Sequence, residues 1–186
     1  MIRDFAPQDA DAVGSLTLAA YDGYGSITGP YREQLAAPRR RAAGSTALLV
    51  AEVAGRIVGT VTFVLPEDPE WEGPDPPHAD AGFRVLAVAP DTEGRGVGRA
   101  LVTHCVDLAL HHERRRLMLT SMAWMTRAHR LYDTLGFTRR PDLDVRFPGG
   151  IGVVYQRDLV PDAAAHFPPP GPVPSTPPWF EDVWSR

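Results

Sequence analysis

The sequence predicts an α/β (α+β) domain, a twisted sheet flanked by helices. Short β-branched runs alternate with segments whose apolar residues recur at helical spacing. A Gly-rich turn joins a mid-chain strand directly to a helix (Gly94, Gly96, Gly98). The length of 186 residues suits one domain, and 44% hydrophobic with 23% charged residues is ordinary for a globular chain.

Residues 2–5 read as a first strand, and Pro7 and Asp9 suit the opening turn of a helix carrying Val13, Leu16, Ala20 and Tyr21. A polar segment from Asp22 to Tyr31 leads to a second, weak helix through Leu35. The basic run Arg39, Arg40, Arg41 is expected as a solvated loop, its alternative being a contact to phosphate or to an acidic substrate. Ala47–Val53 and Arg56–Leu65 are strands joined by the hairpin signal Ala54-Gly55. The Pro-rich, acidic stretch 66–80 is expected as a loop, with Trp71 and His78 as exposed filler, the alternative being the rim of a site.

The strand Phe83–Val88 ends in a Pro-Asp turn, and helical spacing begins at Arg99. Alternating glycines between strand and helix let backbone N–H groups converge beside the positive end of the helix dipole. Such a turn is an anion cradle suited to phosphate or pyrophosphate. Val97, Leu101, Cys105, Leu108 and Ala109 make one helical stripe, so Cys105 is expected as a small core residue. Leu117–Met122 is a strand; Thr126 is expected to cap a helix carrying Ala128, Leu131, Tyr132 and Leu135 that Gly136 terminates. Gly152–Leu159 alternates like a last strand. His111 and His112 do not share a helix face, so no zinc site is expected there, and no metal elsewhere.

Composition changes at Val160, which suggests a domain over 1–160 and a Pro-rich tail over 161–186. Trp179, Phe180 and Trp184 form an aromatic anchor on that tail, expected to dock on its own domain or on the twin subunit of a homodimer. The net charge of −4 gives no sign of nucleic-acid binding, and no run has the length of a membrane span. One cysteine and no signal-peptide pattern suggest a cytoplasmic protein; Arg without any Lys, beside abundant Ala and Pro, suggests a GC-rich bacterial source.

Two motifs in this order, LAVAPDTEGRGVGRALV and AHRLYDTLGF, resemble the GNAT N-acetyltransferase superfamily over roughly residues 1–160. The resemblance implies a mostly antiparallel mixed sheet whose central strand splays from its neighbour to admit acetyl-CoA as a co-substrate. It implies that Leu86, Ala87 and Val88 pair with the pantetheine arm and that the backbone of Gly94, Arg95, Gly96, Val97, Gly98 and Arg99 cradles the pyrophosphate. The Val88 N–H would polarise the thioester carbonyl, and the Tyr132 phenol would return a proton to the leaving thiolate. An amine would attack the thioester directly, a small-molecule amine first and a peptide N-terminus or lysine side chain second.

Some positions depart from the family's pattern. Glu93 replaces the motif's first Gln or Arg, with Arg95 and Arg99 expected to compensate, and Met125 stands where many relatives place an Asn against the cofactor. Gly82 and Thr120 occupy the positions of frequent Glu bases, leaving Asp80 and His78 as the nearest candidates, or a water chain. The acids of loop 66–80, with Asp142 and Asp144, are expected as solvated groups, the alternative being that they attract a cationic amine by focusing the field. A Rossmann dinucleotide site is disfavoured because the glycine turn lies mid-chain and Arg114–Arg116 occupy the place of the ribose-binding acid. A non-catalytic acyl-CoA-binding or regulatory module, or a scaffold that uses the tail, is the alternative from another class.

Overall fold

A computed structural model of the chain describes residues 1–25, 27, 29–71, 80–147 and 150–160; His78 and the tail 161–186 lie outside these. The strands are β1 (Ile2–Asp4), β2 (Ala47–Val53), β3 (Arg56–Val64), β4 (Asp80–Val88), β5 (Arg116–Met122), β6 (Thr138–Arg139), β7 (Val145–Phe147) and β8 (Gly150–Asp158). The helices are α1 (Ala10–Asp22), α2 (Gly29–Ala36), α3 (Pro38–Ala43), α4 (Val97–His111) and α5 (Thr126–Thr134). Together the strands form one sheet in the order β1-β2-β3-β4-β5-β8-β6, with β7 also on β8. Every pairing is antiparallel except β4 with β5.

Local sequence explains most of these elements. The Ala54-Gly55 turn has positive φ at both residues (50° and 76°), which matches the twist of a tight hairpin. Gly136 at φ 76° ends α5, and the Phe137 N–H closes back on the Tyr132 carbonyl at 3.1 Å. Two expectations need correction. Thr126 is the first residue of α5 rather than its cap; Met125 holds the cap position without a side-chain bond. The basic run is not a solvated loop: Pro38 opens α3, and Arg41 is turned wholly inward.

The sheet separates two apolar cores. Phe63, Ala81, Phe83, Leu101, Cys105, Leu117 and Tyr132 belong to one, with α4 and α5 on that face. Leu16, Ala20, Tyr21, Leu35, Val85 and Ala87 belong to the other, beneath α1 and α2. Cys105 is fully buried, and its thiol is pushed up by desolvation, as a core residue's should be. Gly59 on β3 allows α4 to sit close to the sheet. A Cβ there would lie 2.7 Å from Val97 Cγ1 and 2.9 Å from Leu101 Cδ1. That approach sets the first turn of α4 over the end of β4.

Candidate active site

The site begins with a defect in β4. Thr60 pairs with Ala87 but Thr62 pairs with Arg84, so β4 carries one residue more than β3 across this step. Val85 absorbs it at φ 48°, an uncommon value for a β-branched residue. The alternation then inverts: Phe83 faces the α4 core, while Val85 and Ala87 face the α1 core. Beyond the bulge Leu86 packs on the α4 side.

The bulge coincides with a parting of strands. β4 pairs with β5 only at Asp80–Arg116, Ala81–Leu117 and Gly82–Met118. Past Gly82, β4 continues on β3 as far as Val88, while β5 continues on β8 as far as Met122. The two diverging strands leave a wedge-shaped gap edged by unpaired β4 backbone. The Ala89 N–H donates to the Val58 carbonyl at 2.9 Å, so the preceding Val88 N–H turns to the opposite edge, into the gap.

A cleft of about 440 Å³ fills this wedge. Its walls include Leu86, Ala87 and Val88 on one side and Leu119, Thr120 and Ser121 on the other. Its mouth is the glycine turn. Gly94 and Gly96 hold φ of 77° and 83°, and Gly96 is the N-cap of α4. Among the described residues the N–H groups of Gly94, Gly96, Val97, Gly98 and Arg99 have no acceptor. These orphan donors sit at the positive end of a helix of 15 residues, an arrangement that favours an anion. A Cβ on Gly98 would approach Leu131 Cδ2 to 3.2 Å, so glycine also keeps the floor of the cradle open.

Of the residues singled out from sequence, Leu86, Ala87, Val88, Gly94, Gly96, Val97, Gly98, Arg99, Met125 and Tyr132 all line this cleft. Tyr132 is 5% exposed, and its ring packs edge-on or tilted against Phe83, Phe137 and Tyr155 at 5.6–6.0 Å. Its hydroxyl bonds to no other group among the described residues, and desolvation pushes the phenol well above its ordinary value. The group therefore stays protonated at neutral pH, an available donor. Met125 is buried at the cleft wall, where Ser121 Oγ approaches its sulfur to 3.6 Å and His129 Nε2 lies 3.2 Å from the same hydroxyl. Burial lowers the His129 imidazole.

Other expected residues are placed elsewhere. Arg95 does not line the cleft, and Arg99 reaches back to Thr134 Oγ1 at 3.0 Å. The partner of Glu93 is instead Arg127, at 2.6 Å across the mouth. The same guanidinium lies over the Tyr24 ring at 5.0 Å, linking the end of α1 to the glycine turn. Sequence offered no signal for this pair, because its members are 34 positions apart on separate turns. Asp80 is not brought to the cleft. It sits at the closed end of the β4–β5 seam in a buried ion pair with Arg116, and desolvation raises its carboxyl above the usual range. Among the described residues the acids of loop 66–80 and the 142–144 turn are held in ion pairs, Glu67 with Arg114, Glu70 with Arg84, Asp142 with Arg140 and Asp144 with Arg139, while Glu72 and Asp75 lie outside the described residues. Asp68 caps Thr46 and Leu65 with one carboxylate oxygen.

Among the described residues no three His, Cys, Asp or Glu side chains gather as a metal group, and no helix is long and apolar enough to cross a membrane.

The chain matches a known protein family and solved structures of the same fold. Residues 11–137 match the family model described as Acetyltransferase (GNAT) family. A Mycothiol acetyltransferase from Pseudarthrobacter chlorophenolicus is 34% identical over 160 residues, 78% of this chain and 44% of that protein. The chain thus spans less than half the length of this curated relative. An acetyltransferase from Salmonella typhimurium, solved with its cofactor acetyl-CoA, has a TM-score of 0.65 at 21% identity, covering 91% of this chain and 96% of its own. A GNAT family acetyltransferase from Brucella melitensis in complex with acetyl-CoA has a TM-score of 0.61 at 21% identity, covering 92% of each chain. At these identities the two structures speak to the fold.

Proposed function

This chain belongs to the GNAT acetyltransferase family, and we propose that it transfers an acetyl group from acetyl-CoA to a primary amine, a small molecule in preference to a peptide N-terminus or lysine. The observation that carries this reading is the wedge between β4 and β5, with orphan N–H donors at its mouth and a protonated tyrosine on its wall. Acetyl-CoA supplies the activated acyl thioester. The residues present fit it: a row of backbone donors for the pyrophosphate, unpaired strand edge for the pantetheine arm, and no competing side chain at Gly94 or Gly96.

In this reading the backbone from Gly94 to Arg99 holds the pyrophosphate, and the Glu93–Arg127 pair keeps a lone carboxylate from facing it. Leu86, Ala87 and Val88 hold the arm, and holding both reactants in the gap supplies much of the rate. The Val88 N–H donates to the acyl oxygen as charge develops there. The amine forms the new C–N bond as the C–S bond breaks; its surplus proton leaves to water in the open cleft. The Tyr132 O–H gives its proton to the departing sulfur and is reprotonated from solvent. No covalent enzyme intermediate is required. The described lining holds one carboxylate, Glu93, and this sits at the mouth, so a water path is the deprotonation route adopted here.

The test is a thermal shift with acetyl-CoA, CoA and NAD on the wild type and on Gly96→Trp, followed by thiol release with an amine panel. A ligand that binds the folded state alone raises its stability by mass action. The expected result is a shift with both CoA species, none with NAD, and loss of the CoA shift in Gly96→Trp. Absence of any shift at millimolar acetyl-CoA overturns the reading. A shift without turnover of any amine would make the chain an acyl-CoA-binding module instead.

A further inference from the structure

The sheet face beneath α1, α2 and α3 holds buried polar groups that acetyl transfer does not use. Arg41 has no exposed surface, and among the described residues its hydrogen bond is from Nη1 to the Leu35 carbonyl at 3.0 Å. Its Nε and Nη2 have no hydrogen-bond partner among the described residues, and neither do the buried Trp71 Nε1 and Thr62 Oγ1. An unpaired buried guanidinium is costly, and desolvation pushes this one down to about 10. Native interiors leave few buried donors unmatched, so several in one place call for an occupant.

These groups converge on one neighbourhood. Thr62 lies opposite Arg84 across the β3–β4 pairing. Arg84 binds Glu70 at 2.8 Å, which occupies the carboxylate nearest to hand. Trp71 follows Glu70 and rests on Gly82, where a Cβ would lie 3.0 Å from its ring. Arg41 is within electrostatic reach of Glu70, Arg84 and Tyr21. Arg84 and Tyr21 also line the transfer cleft, so this buried group of donors adjoins it. The unmatched groups are donors: two guanidinium N–H sites, an indole N–H and a hydroxyl. A compact anion with two or more acceptor oxygens matches such a set of donors, and a carboxylate has that form.

We propose that the acceptor is an amine that also carries a carboxylate, as a free amino acid does, and that Arg41, Trp71 and Thr62 receive the carboxylate while the amine faces the cleft. This rests on the acetyl-transfer reading above and narrows its substrate class. It runs against the alternative of acids that attract a cation, since the described ones are taken up in ion pairs. Arg41 has no exposed surface in the free protein, so this binding requires the helices over it to part from the sheet.

The experiment compares free L-α-amino acids with their amides and with the decarboxylated amines, in thiol-release assays on wild type, Arg41→Met and Trp71→Phe. In the wild type the acids should exceed their amides by at least about tenfold in kcat/KM. Arg41→Met keeps an unbranched side chain without donors, so it should fold and keep its acetyl-CoA thermal shift while the acid preference collapses through KM. Trp71→Phe should reduce the preference several-fold. Amides or decarboxylated amines used as well as the acids would overturn the proposal, as would a preference that survives Arg41→Met. If acetyl-CoA shifts the melting but the acids neither react nor stabilise the CoA complex further, the proposal fails while cofactor binding stands. If acetyl-CoA itself gives no shift, the transfer reading has failed; the acids alone must then stabilise wild type and not Arg41→Met, or this inference falls too.

Discussion

Replacing Tyr132 by Phe separates chemistry from packing at this site. The ring contacts with Phe83, Phe137 and Tyr155, at 5.6–6.0 Å, are kept by phenylalanine. The hydroxyl makes no bond among the described residues, so its removal leaves no orphaned partner. Stability should therefore stay within about 0.5 kcal/mol of wild type. The acetyl-CoA thermal shift should persist, because the cradle is built from the backbone of another segment. Turnover should behave differently. A positioned general acid contributes about 10²- to 10⁴-fold, or about 2.7 to 5.5 kcal/mol of barrier. The assay is steady-state thiol release with saturating amine, alongside urea unfolding of both proteins. A Tyr132→Phe enzyme within about threefold of wild-type kcat, equally stable, would show that the leaving sulfur takes its proton from elsewhere. A large loss of stability instead would show that the hydroxyl has a structural partner.

Two further outcomes follow from ion pairs. Arg127→Ala should leave Glu93 facing the anion cradle and raise the Kd for acetyl-CoA roughly three- to tenfold, an effect that shrinks in high salt because both side chains are well exposed; adding Glu93→Gln should restore binding. Titration calorimetry at low and high salt reads this directly. Asp9 is held below its ordinary carboxylate value of 3.8 chiefly by the Arg3 guanidinium. A depressed folded-state value means that this stabilisation is complete above 3.8 and is lost as pH falls through the lower folded value. Asp9→Asn should accordingly lower the melting temperature relative to wild type near neutral pH, and the gap should close as pH falls through the depressed folded-state value.

Much of the candidate site was legible because it is written in backbone-forming residues contiguous in sequence. The glycine turn needs positive φ at Gly94 and Gly96 wherever it occurs, and such a turn before a helix orphans N–H groups by geometry alone. Tyr132 was legible as a site candidate through the motif that surrounds it, whereas its helical spacing with Ala128 and Leu135 spoke for a core position. Charges were another matter. Asp80 looked available from its position beside β4, yet the pairing of β4 with β5 places Arg116 directly across from it. Glu93 looked like a defect, and Arg127 neutralises it from a distant helix turn. Arg41 looked solvated within a basic run, and α3 turns it inward while its two neighbours stay at the surface.

Sequence by itself determined most of the order of strands and helices and the conformation of the glycine turn, since each depends on φ preference or on periodicity within a few residues. Only the tertiary structure decided the bulge at Val85, the parting of β4 from β5 beyond Gly82, and the assignment of every ion pair. The physical reason is the range of the forces concerned. Strand register and desolvation are set by segments tens of residues apart, and a side chain's charge acquires a role only when its neighbours in space are known.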